Sequence, residues 1–258
     1  MNSTPLEAAI QEALLRAQVL RLLADALIYP DAAFAARLSN GYAANLMECL
    51  SALDQSGQAD WTEPFERFAR AIDGLALDDL QRAHRLTFGV ASDSPPYETE
   101  YGQPHAFRQS HELADITGFY RAFGFDVGGG VRERPDYLGV ELEFMYVLAR
   151  KHAYALAEGL SEAAEVCHDA QRKFLRDHLA RWVGVYARKL NDAEAGIYAS
   201  LAALIAAFAD AETQRFGIGR EAIGPGDSRP TPIGPSLSCM GGGNDDECRP
   251  ASGVSKRS

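Results

Sequence analysis

The two stretches that decide the fold are SPPYETEYG, at residues 94–102, and ADITGFYRAFGFDVGGGVRERPDYLGVELEFM, at residues 114–145. Apolar residues recur every three or four positions at both ends of the longer stretch, and three glycines interrupt the pattern, which predicts a helix, a loop and a second helix. Acidic, aromatic and proline residues gather in the shorter stretch and in this loop. No nucleophile, metal cage or phosphate loop lies among them, so the arrangement suits gripping a peptide better than catalysing a reaction.

The rest of the chain up to residue 216 shows the same helical periodicity. Thr4, Pro5 and Glu7 have the spacing of a capping box with proline at the first helical position. Ala, Leu, Glu and Arg dominate while Val, Ile and Thr are sparse, a balance that favours helix over sheet. The expected helices have the approximate bounds 4–29, 31–38, 42–55, 62–73, 78–88, 110–123, 136–157, 161–190 and 193–215. The predicted fold class is therefore all-α, with a single compact helical domain over residues 1–216.

The last part of the chain, residues 217–258, differs in composition. It holds nine Gly and five Pro in 42 residues, with few large apolar side chains. Such a segment cannot bury enough apolar surface to offset the entropy lost on ordering, so we predict a flexible, disordered tail. Its basic and acidic residues number five each, and the formal net charge of −11 consequently lies on the helical domain.

The acidic charge of the domain restricts its partners. It repels phosphate backbones and anionic headgroups, which argues against nucleic acid and membrane surfaces, and it attracts basic peptides. The alternative interpretation is that the net charge only keeps the protein soluble. The N-terminus lacks the pattern of a cleavable signal peptide, and the longest apolar run near the C-terminus, residues 201–209, is about half of the ~18 residues that a membrane span needs. Four scattered cysteines suit a reducing compartment. The predicted location is cytoplasmic.

Several short motifs resemble catalytic or metal-binding patterns without completing them. EVCH, at residues 165–168, has the spacing of di-iron helix bundles but lacks a second copy and two further inward glutamates. HELAD, at residues 111–115, has an aspartate where a zinc protease needs its second histidine. The two glycine triplets lack the lysine of a phosphate loop, and Cys239 and Cys248 lack a second ligand pair. We therefore expect no catalytic residue, no metal and no cofactor.

What remains is a set of carboxylates flanked by aromatic rings and prolines. Guanidinium groups pair with carboxylates through two parallel hydrogen bonds and stack on aromatic rings, so such a set suits an arginine-rich peptide. Asp136, placed in the first turn of its helix, is equally explained by helix capping and by the helix dipole. Composition leaves both interpretations open. The predicted peptide-binding residues are Pro96, Tyr97, Glu98, Glu100, Tyr101, Asp115, Tyr120, Glu133, Pro135, Asp136, Tyr137 and Glu141.

Four motifs in order, YETEYG, ADITGFYRAFGF, ERPDYLGVELEFM and DHLARW, resemble those of the TorD/DmsD/NarJ-type chaperones of molybdenum oxidoreductases. The similarity covers most of residues 6–210 and is greatest to the delta components of dimethyl sulfide, chlorate, selenate and ethylbenzene oxidoreductases. The characteristic turn of that family is Glu-x-Pro-Asp-His. Glu133, Pro135 and Asp136 match it here, whereas Tyr137 replaces the histidine, so a role that needs an imidazole at this position is not expected.

The resemblance implies an all-helical cytoplasmic protein, monomeric or homodimeric. It would bind the twin-arginine signal peptide and the apo form of a molybdoenzyme catalytic subunit, and hold that subunit until its molybdenum cofactor is inserted. A permanent structural subunit of a redox complex is the alternative, and a carboxylate-bridged metal enzyme is a third interpretation. Co-purification with the mature enzyme would favour the permanent subunit. Bound iron or manganese would favour the metal enzyme.

Overall fold

The structure is a computed structural model that describes residues 4–54, 59–89, 92–102, 107–127, 133–193 and 195–219. Helices dominate these residues, and no β-strand occurs among them beyond one isolated bridge. The all-α prediction is confirmed. The expected tail from residue 220 onward, both glycine triplets and the Cys239/Cys248 pair lie outside the described residues.

The helices follow one another along the chain, and the longest connections are those before α6 and before α7. Their bounds are α1 Pro5–Asp25, α2 Ala32–Ser39, α3 Tyr42–Leu53, α4 Thr62–Ile72, α5 Leu77–Phe88, α6 Arg108–Ala122, α7 Leu138–Ala157, α8 Ser161–Phe174, α9 Ala180–Asp192 and α10 Gly196–Arg215. Helix α1 packs along α7, α7 along α8, and α10 along both α9 and α4. Helix α7 thus contacts both α1 and α8.

The capping box predicted for α1 is present. The hydroxyl of Thr4 accepts a hydrogen bond from the backbone of Glu7 at 3.2 Å, and the Glu7 carboxylate accepts one from the backbone of Thr4 at 2.7 Å. Further along α1, the buried Arg16 is paired with Glu212 of α10, with atoms 2.6 Å apart. Both ends of the described chain are consequently joined to one core.

An aromatic cluster joins α6, α7 and α8. The ring centroid of Phe144 lies 4.7 Å from that of Tyr120 and 4.8 Å from that of Phe174, and all three rings are buried. Each buried side chain of this size stabilises the fold by about 1.5–3 kcal/mol. Phe125, in the segment that follows α6, packs against this cluster.

Several predicted helix boundaries differ from the structure. Ser110 lies inside the first turn of α6, which begins at Arg108 after Phe107, and it does not cap the helix. Helix α7 begins at Leu138 rather than at residue 136, because Tyr137 is extended and pairs with Tyr97, and the carbonyl of Asp136 accepts a hydrogen bond from Glu98 of another loop. Gly124 does end α6 in the left-handed conformation, with φ of 65°, as expected.

The long helix expected over residues 161–190 is interrupted by one π-helical segment, Leu175–Leu179. A π turn contains an extra residue and so rotates the side chains that follow, which turns His178 inward. On α8 the buried positions recur at intervals of three, at Ala164, Cys167 and Ala170. Val166 lies between them and is 53% exposed.

The helical domain extends slightly beyond the predicted boundary at residue 216. Gly217 has φ of 60° and ends α10, and the backbone of Ile218 donates to Thr213 at 2.9 Å while its side chain packs on the core. Helix α10 is long and apolar enough to cross a membrane by composition, but 67% of its apolar window is buried inside the protein. Its apolar composition is therefore that of a core helix.

We expect deletion of residues 220–258 to leave the melting temperature and helix content unchanged, because their composition predicts no apolar face that could dock. Deletion of residues 216–258 should instead lower the free energy of unfolding by about 3 kcal/mol, since it removes the buried Phe216 ring. Circular dichroism and thermal melting of both truncated proteins check this. A large loss of stability in the shorter deletion would contradict it.

Candidate functional site

The two stretches that opened the sequence analysis meet in space. The backbone of Leu138 donates to the carbonyl of Pro96 at 3.0 Å, and the backbone of Glu98 donates to the carbonyl of Asp136 at 2.9 Å. These two bonds form an antiparallel bridge between Tyr97 and Tyr137. The loop 94–102 is thereby fastened to the residues that lead into α7.

Asp136 is at the centre of this junction and is fully buried. Its carboxylate accepts hydrogen bonds from the backbone and the hydroxyl of Thr99, at 3.2 and 2.8 Å, and from two nitrogens of Arg134, at 3.0 and 2.8 Å. Tyr137, not Asp136, precedes α7, and no side chain caps that helix. The helix-capping interpretation of Asp136 is therefore wrong; its carboxylate links two segments.

Arg134 fills a cage made by Tyr97, Thr99, Glu100 and Asp136, which we call the arginine cage. Beyond its bonds to Asp136, the guanidinium donates to Glu100 at 2.9 Å and to the Thr99 hydroxyl at 2.7 Å, and its carbon lies 4.3 Å from the Tyr97 ring centroid. Burial lowers the pKa of Arg134, but bonds to Asp136 and Glu100 outweigh it and hold that pKa above its ordinary value. Arg134 is thus a fixed cation with 40% of its side chain exposed.

The carbonyl groups of the same loop are held by a second arginine. Arg108, in the first turn of α6, donates to the carbonyl of Thr99 at 2.7 Å and to that of Tyr101 at 2.9 Å. Glu112, one turn along α6, accepts from Arg108 at 2.6 Å. Helix α6 therefore holds the loop from the side opposite α7.

A second buried network extends from the surface into the core. His178, turned inward by the π segment, lies 3.1 Å from the Glu98 carboxylate through Nδ1 and 3.2 Å from Asp115 through Nε2. The latter contact has the distance of an ion pair without the alignment of a hydrogen bond. Deeper in the protein, Glu141 accepts from the Trp182 indole at 3.2 Å. Only Asp115 of these residues reaches solvent.

The burial of this network and its charges shift the pKa of two of its members. Burial, together with the charge and hydrogen bonding of Glu98, raises the pKa of Glu141 well above its ordinary value, which favours the neutral acid. Burial lowers the pKa of His178, but the hydrogen bond and charge of Glu98, with the charge of Asp115, outweigh it and raise the pKa. The two carboxylates beside the imidazole therefore favour its charged form.

The predicted tyrosines are mainly structural. Tyr101 stacks on Trp182, with centroids 5.3 Å apart, and Tyr120 donates to the carbonyl of Pro135 at 2.7 Å. Tyr137 donates to the carbonyl of Leu27, in the turn that follows α1, at 2.7 Å, and burial raises its pKa above the ordinary value. The tyrosine that replaces the family histidine thus bonds this turn as a neutral phenol.

The twelve predicted residues surround the loop 94–102 and the ends of α6 and α7 that meet it, but they differ in access. Asp115 and Glu133 are exposed, and Tyr97, Glu100 and Pro135 are half-buried. The remainder are buried: Pro96, Glu98, Tyr101, Tyr120, Asp136, Tyr137 and Glu141. Sequence reasoning did not assign roles to Thr99, Arg108, Arg134, His178 and Trp182, although the last two lie four residues apart in the quoted DHLARW motif.

A groove of about 310 Å³ lies beside this junction, between α1, α7, residues 125–127 and Glu133. Its apolar walls include Ile28, which is 59% exposed, and Val140. The groove holds four carboxylates, Asp25, Asp126, Glu133 and Glu143, and one guanidinium, Arg21. Arg21 pairs with two of the four, at 3.0 and 3.3 Å. Asp126 and Glu133 have no ion pair with any residue that the structure describes.

A larger groove of about 610 Å³ lies between α4, α9 and α10. Alanines form much of its lining, and its charged residues are of both signs, including Arg67, Arg188, Asp60 and Asp192. Its three aspartates and two arginines nearly balance in charge. The smaller groove is the one whose chemistry suits a basic and apolar peptide.

Comparison with known proteins decides the family. The family model described as nitrate reductase delta subunit matches residues 54–188. The chain belongs to this family. It is 30% identical, over 74% of its length and 84% of the relative's, to the perchlorate reductase assembly chaperone protein of Dechloromonas aromatica (strain RCB). It is also 26% identical to the chaperone protein TorD of Vibrio atlanticus (strain LGP32), over 58% of this chain and 75% of the relative.

A third relative, the selenate reductase assembly chaperone protein of Thauera selenatis, is 32% identical over 41% of this chain and 53% of its own. These matches confirm the predicted resemblance to the TorD/DmsD/NarJ-type chaperones. The protein is a maturation chaperone, and its relatives are named as assembly proteins rather than catalysts. Within the described residues, no cluster of three or more His, Cys, Asp or Glu side chains could hold a metal.

We expect Asp136→Asn to lower the free energy of unfolding by about 1–3 kcal/mol, because an amide cannot accept the same charge-assisted bonds from Arg134 and Thr99. Asp79→Asn is the matched control, since Asp79 pairs with Arg82 at 2.8 Å on the surface and such pairs contribute about 0–1 kcal/mol. Denaturant unfolding of both variants checks this. Equal stability of the two would contradict a linking role for Asp136.

The stability of the protein should fall as the pH rises above neutrality. The folded state holds protons on Glu141 and His178 that the unfolded chain releases near the ordinary values of 4.5 and 6.5. Their contribution is therefore complete below those values and is lost as the pH rises through the raised folded pKa of each. Glu141→Gln should flatten the profile above the ordinary pKa of 4.5, because an amide resembles the neutral acid and does not titrate.

The control for this pH prediction is Glu143→Gln, at a half-exposed position on the same helix. It should keep the pH dependence of the wild-type protein. Denaturant unfolding across the pH range measures both variants. A wild-type slope in Glu141→Gln would show that Glu141 does not hold the proton.

Proposed function

We propose that this cytoplasmic chaperone binds the twin-arginine signal peptide and the apo catalytic subunit of a molybdenum oxidoreductase. It holds that subunit until the molybdenum cofactor is inserted and export can proceed. The assembly chaperones of perchlorate and selenate reductases among its relatives support a client of that class. The observation that carries the proposal is the groove beside the junction, which combines apolar walls with two carboxylates that have no ion pair among the described residues.

The chemistry of the groove matches that of such a signal peptide. A twin-arginine peptide presents two guanidinium groups next to an apolar segment. Ile28 and Val140 provide apolar walls, and Asp126 and Glu133 provide carboxylates that pair with no cation in the described part of the chain. Arginine forms its best ion pairs with such carboxylates through parallel hydrogen bonds, so both halves of the peptide have a partner in one groove.

The charge of the whole protein supports the same partner. Its net charge of −11 gives an attractive field for a basic peptide and a repulsive one for nucleic acid. Local charge in the groove has the same sign, with four carboxylates against one guanidinium. The client peptide would consequently be drawn to the protein before specific contacts form.

We expect calorimetric titration with a twin-arginine leader peptide to show binding that weakens as salt rises, because exposed ion pairs are screened. The double variant Asp126→Asn/Glu133→Gln should weaken it by about 1–2 kcal/mol, since two partly exposed ion pairs are lost. Glu63→Gln/Glu66→Gln, which removes two exposed carboxylates of α4, is the control. Unchanged affinity in the first variant would place the peptide elsewhere.

Capture of the client from cells that make the tagged protein tests the cellular role. The expected client is a catalytic subunit that retains its leader and lacks its cofactor. Mass spectrometry of the captured chain and molybdenum analysis report on both properties. Capture of the mature, cofactor-loaded enzyme alone would instead indicate a permanent structural subunit.

A further inference from the structure

We propose that the arginine cage is a binding site for an arginine side chain of the client, and that Arg134 occupies this site in the free protein. The inference rests on the proposed function and adds to it a residue-level site and a competitor for that site. The turn that carries Arg134 also carries Glu133 and Tyr137, which line the groove. A peptide in the groove therefore lies beside the cage.

The cage has the composition of a guanidinium receptor. It offers the carboxylates of Asp136 and Glu100, the hydroxyl of Thr99 and the face of the Tyr97 ring, all in contact with one guanidinium. Parallel hydrogen bonds to carboxylate and stacking on an aromatic ring are the two interactions that distinguish arginine from lysine. Any arginine with access to the cage would find the same partners.

Arg134 leaves part of the cage unused. It bonds only Oε1 of Glu100, while Oε2 of that carboxylate is buried and has no hydrogen-bond partner within the described part of the chain. A guanidinium that approaches Glu100 with both nitrogens would satisfy both oxygens. The cage consequently has an acceptor to offer an incoming arginine that Arg134 does not use.

A comparison with Arg16 separates this site from an ordinary structural ion pair. Arg16 also pairs with a carboxylate, Glu212, and lies over an aromatic ring, with its carbon 4.7 Å from the Phe216 centroid. Its side chain is only 3% exposed, so no outside group can replace it. The side chain of Arg134 is 40% exposed, so the cage is open to solvent on the side where Arg134 lies.

The buried charge of Asp136 determines what can replace Arg134. A fully buried carboxylate without a cation is strongly destabilising, so Arg134 can leave only if another cation enters. Exchange of one arginine for another conserves the charge and the hydrogen bonds. An apolar or acidic residue cannot make this exchange, which gives the site selectivity for arginine.

The first test is rescue of Arg134→Ala by a small guanidinium compound, followed by thermal melting. The variant should melt below the wild-type protein, and ethylguanidinium at millimolar concentration should raise its melting temperature saturably. Ethylammonium, of equal charge, should not. Neither compound should stabilise Arg82→Ala, a surface control, or the double variant Arg134→Ala/Asp136→Asn. Absence of specific rescue in a folded Arg134→Ala protein would overturn the proposal.

The second test measures competition, by titration with the twin-arginine leader peptide. Arg134→Ala should bind the peptide roughly tenfold tighter than the wild-type protein, a difference of about 1.4 kcal/mol, because the internal competitor is gone. A peptide with lysine in place of both arginines should lose this gain. If the wild-type protein binds the leader and the variant binds no tighter, the cage inference fails while the proposed function stands. If neither binds, the proposed function fails and the inference with it.

A third measurement uses the wild-type protein and covers the case in which Arg134→Ala does not fold. Nuclear magnetic resonance of the Arg134 side-chain Nε–H group should show protection from solvent exchange in the free protein. Saturation with the leader peptide should remove this protection, because the side chain leaves the cage. Protection that persists in the complex would overturn the proposal.

Discussion

The buried carboxylate of Asp136 is the constraint on which the rest of this structure depends. It cannot remain charged inside the protein without partners, and Arg134 and Thr99 supply them. Those bonds, with two backbone hydrogen bonds, hold the loop 94–102 against the entry of α7. The groove, the arginine cage and the position of the loop all follow from this one junction.

The same junction explains why the acidic residues of the motif divide into two groups. Glu98 and Glu141 lie in the core, where Glu98 pairs with His178 and Glu141 accepts a hydrogen bond from the Trp182 indole. Asp126 and Glu133 line the groove and have no ion pair among the described residues. The buried acidic residues therefore position the loop, whereas the two at the groove are those to which the proposed function assigns contacts with a partner.

The chemistry of the junction resembles that proposed for the client. A guanidinium held by carboxylates and an aromatic ring is present inside the protein, at Arg134, and a twin-arginine peptide would bring the same group from outside. Interactions within the free protein then compete with interactions in the complex, and affinity depends on the difference between them. Such competition lets a chaperone release its client without a chemical step.

The sequence by itself determined the helices, the capping box of α1, the acidic character and the family, because periodicity, caps and motifs are encoded within a few neighbouring residues. Only the tertiary structure decided the roles of the motif residues. Asp136 reads locally as a helix cap, but its partner Thr99 lies 37 residues away. His178 is turned inward by a π segment that no periodicity indicates, and its partner Glu98 lies 80 residues away. Contacts over such separations are set by the packing of whole helices, and neither burial nor charge pairing can be known before that packing is.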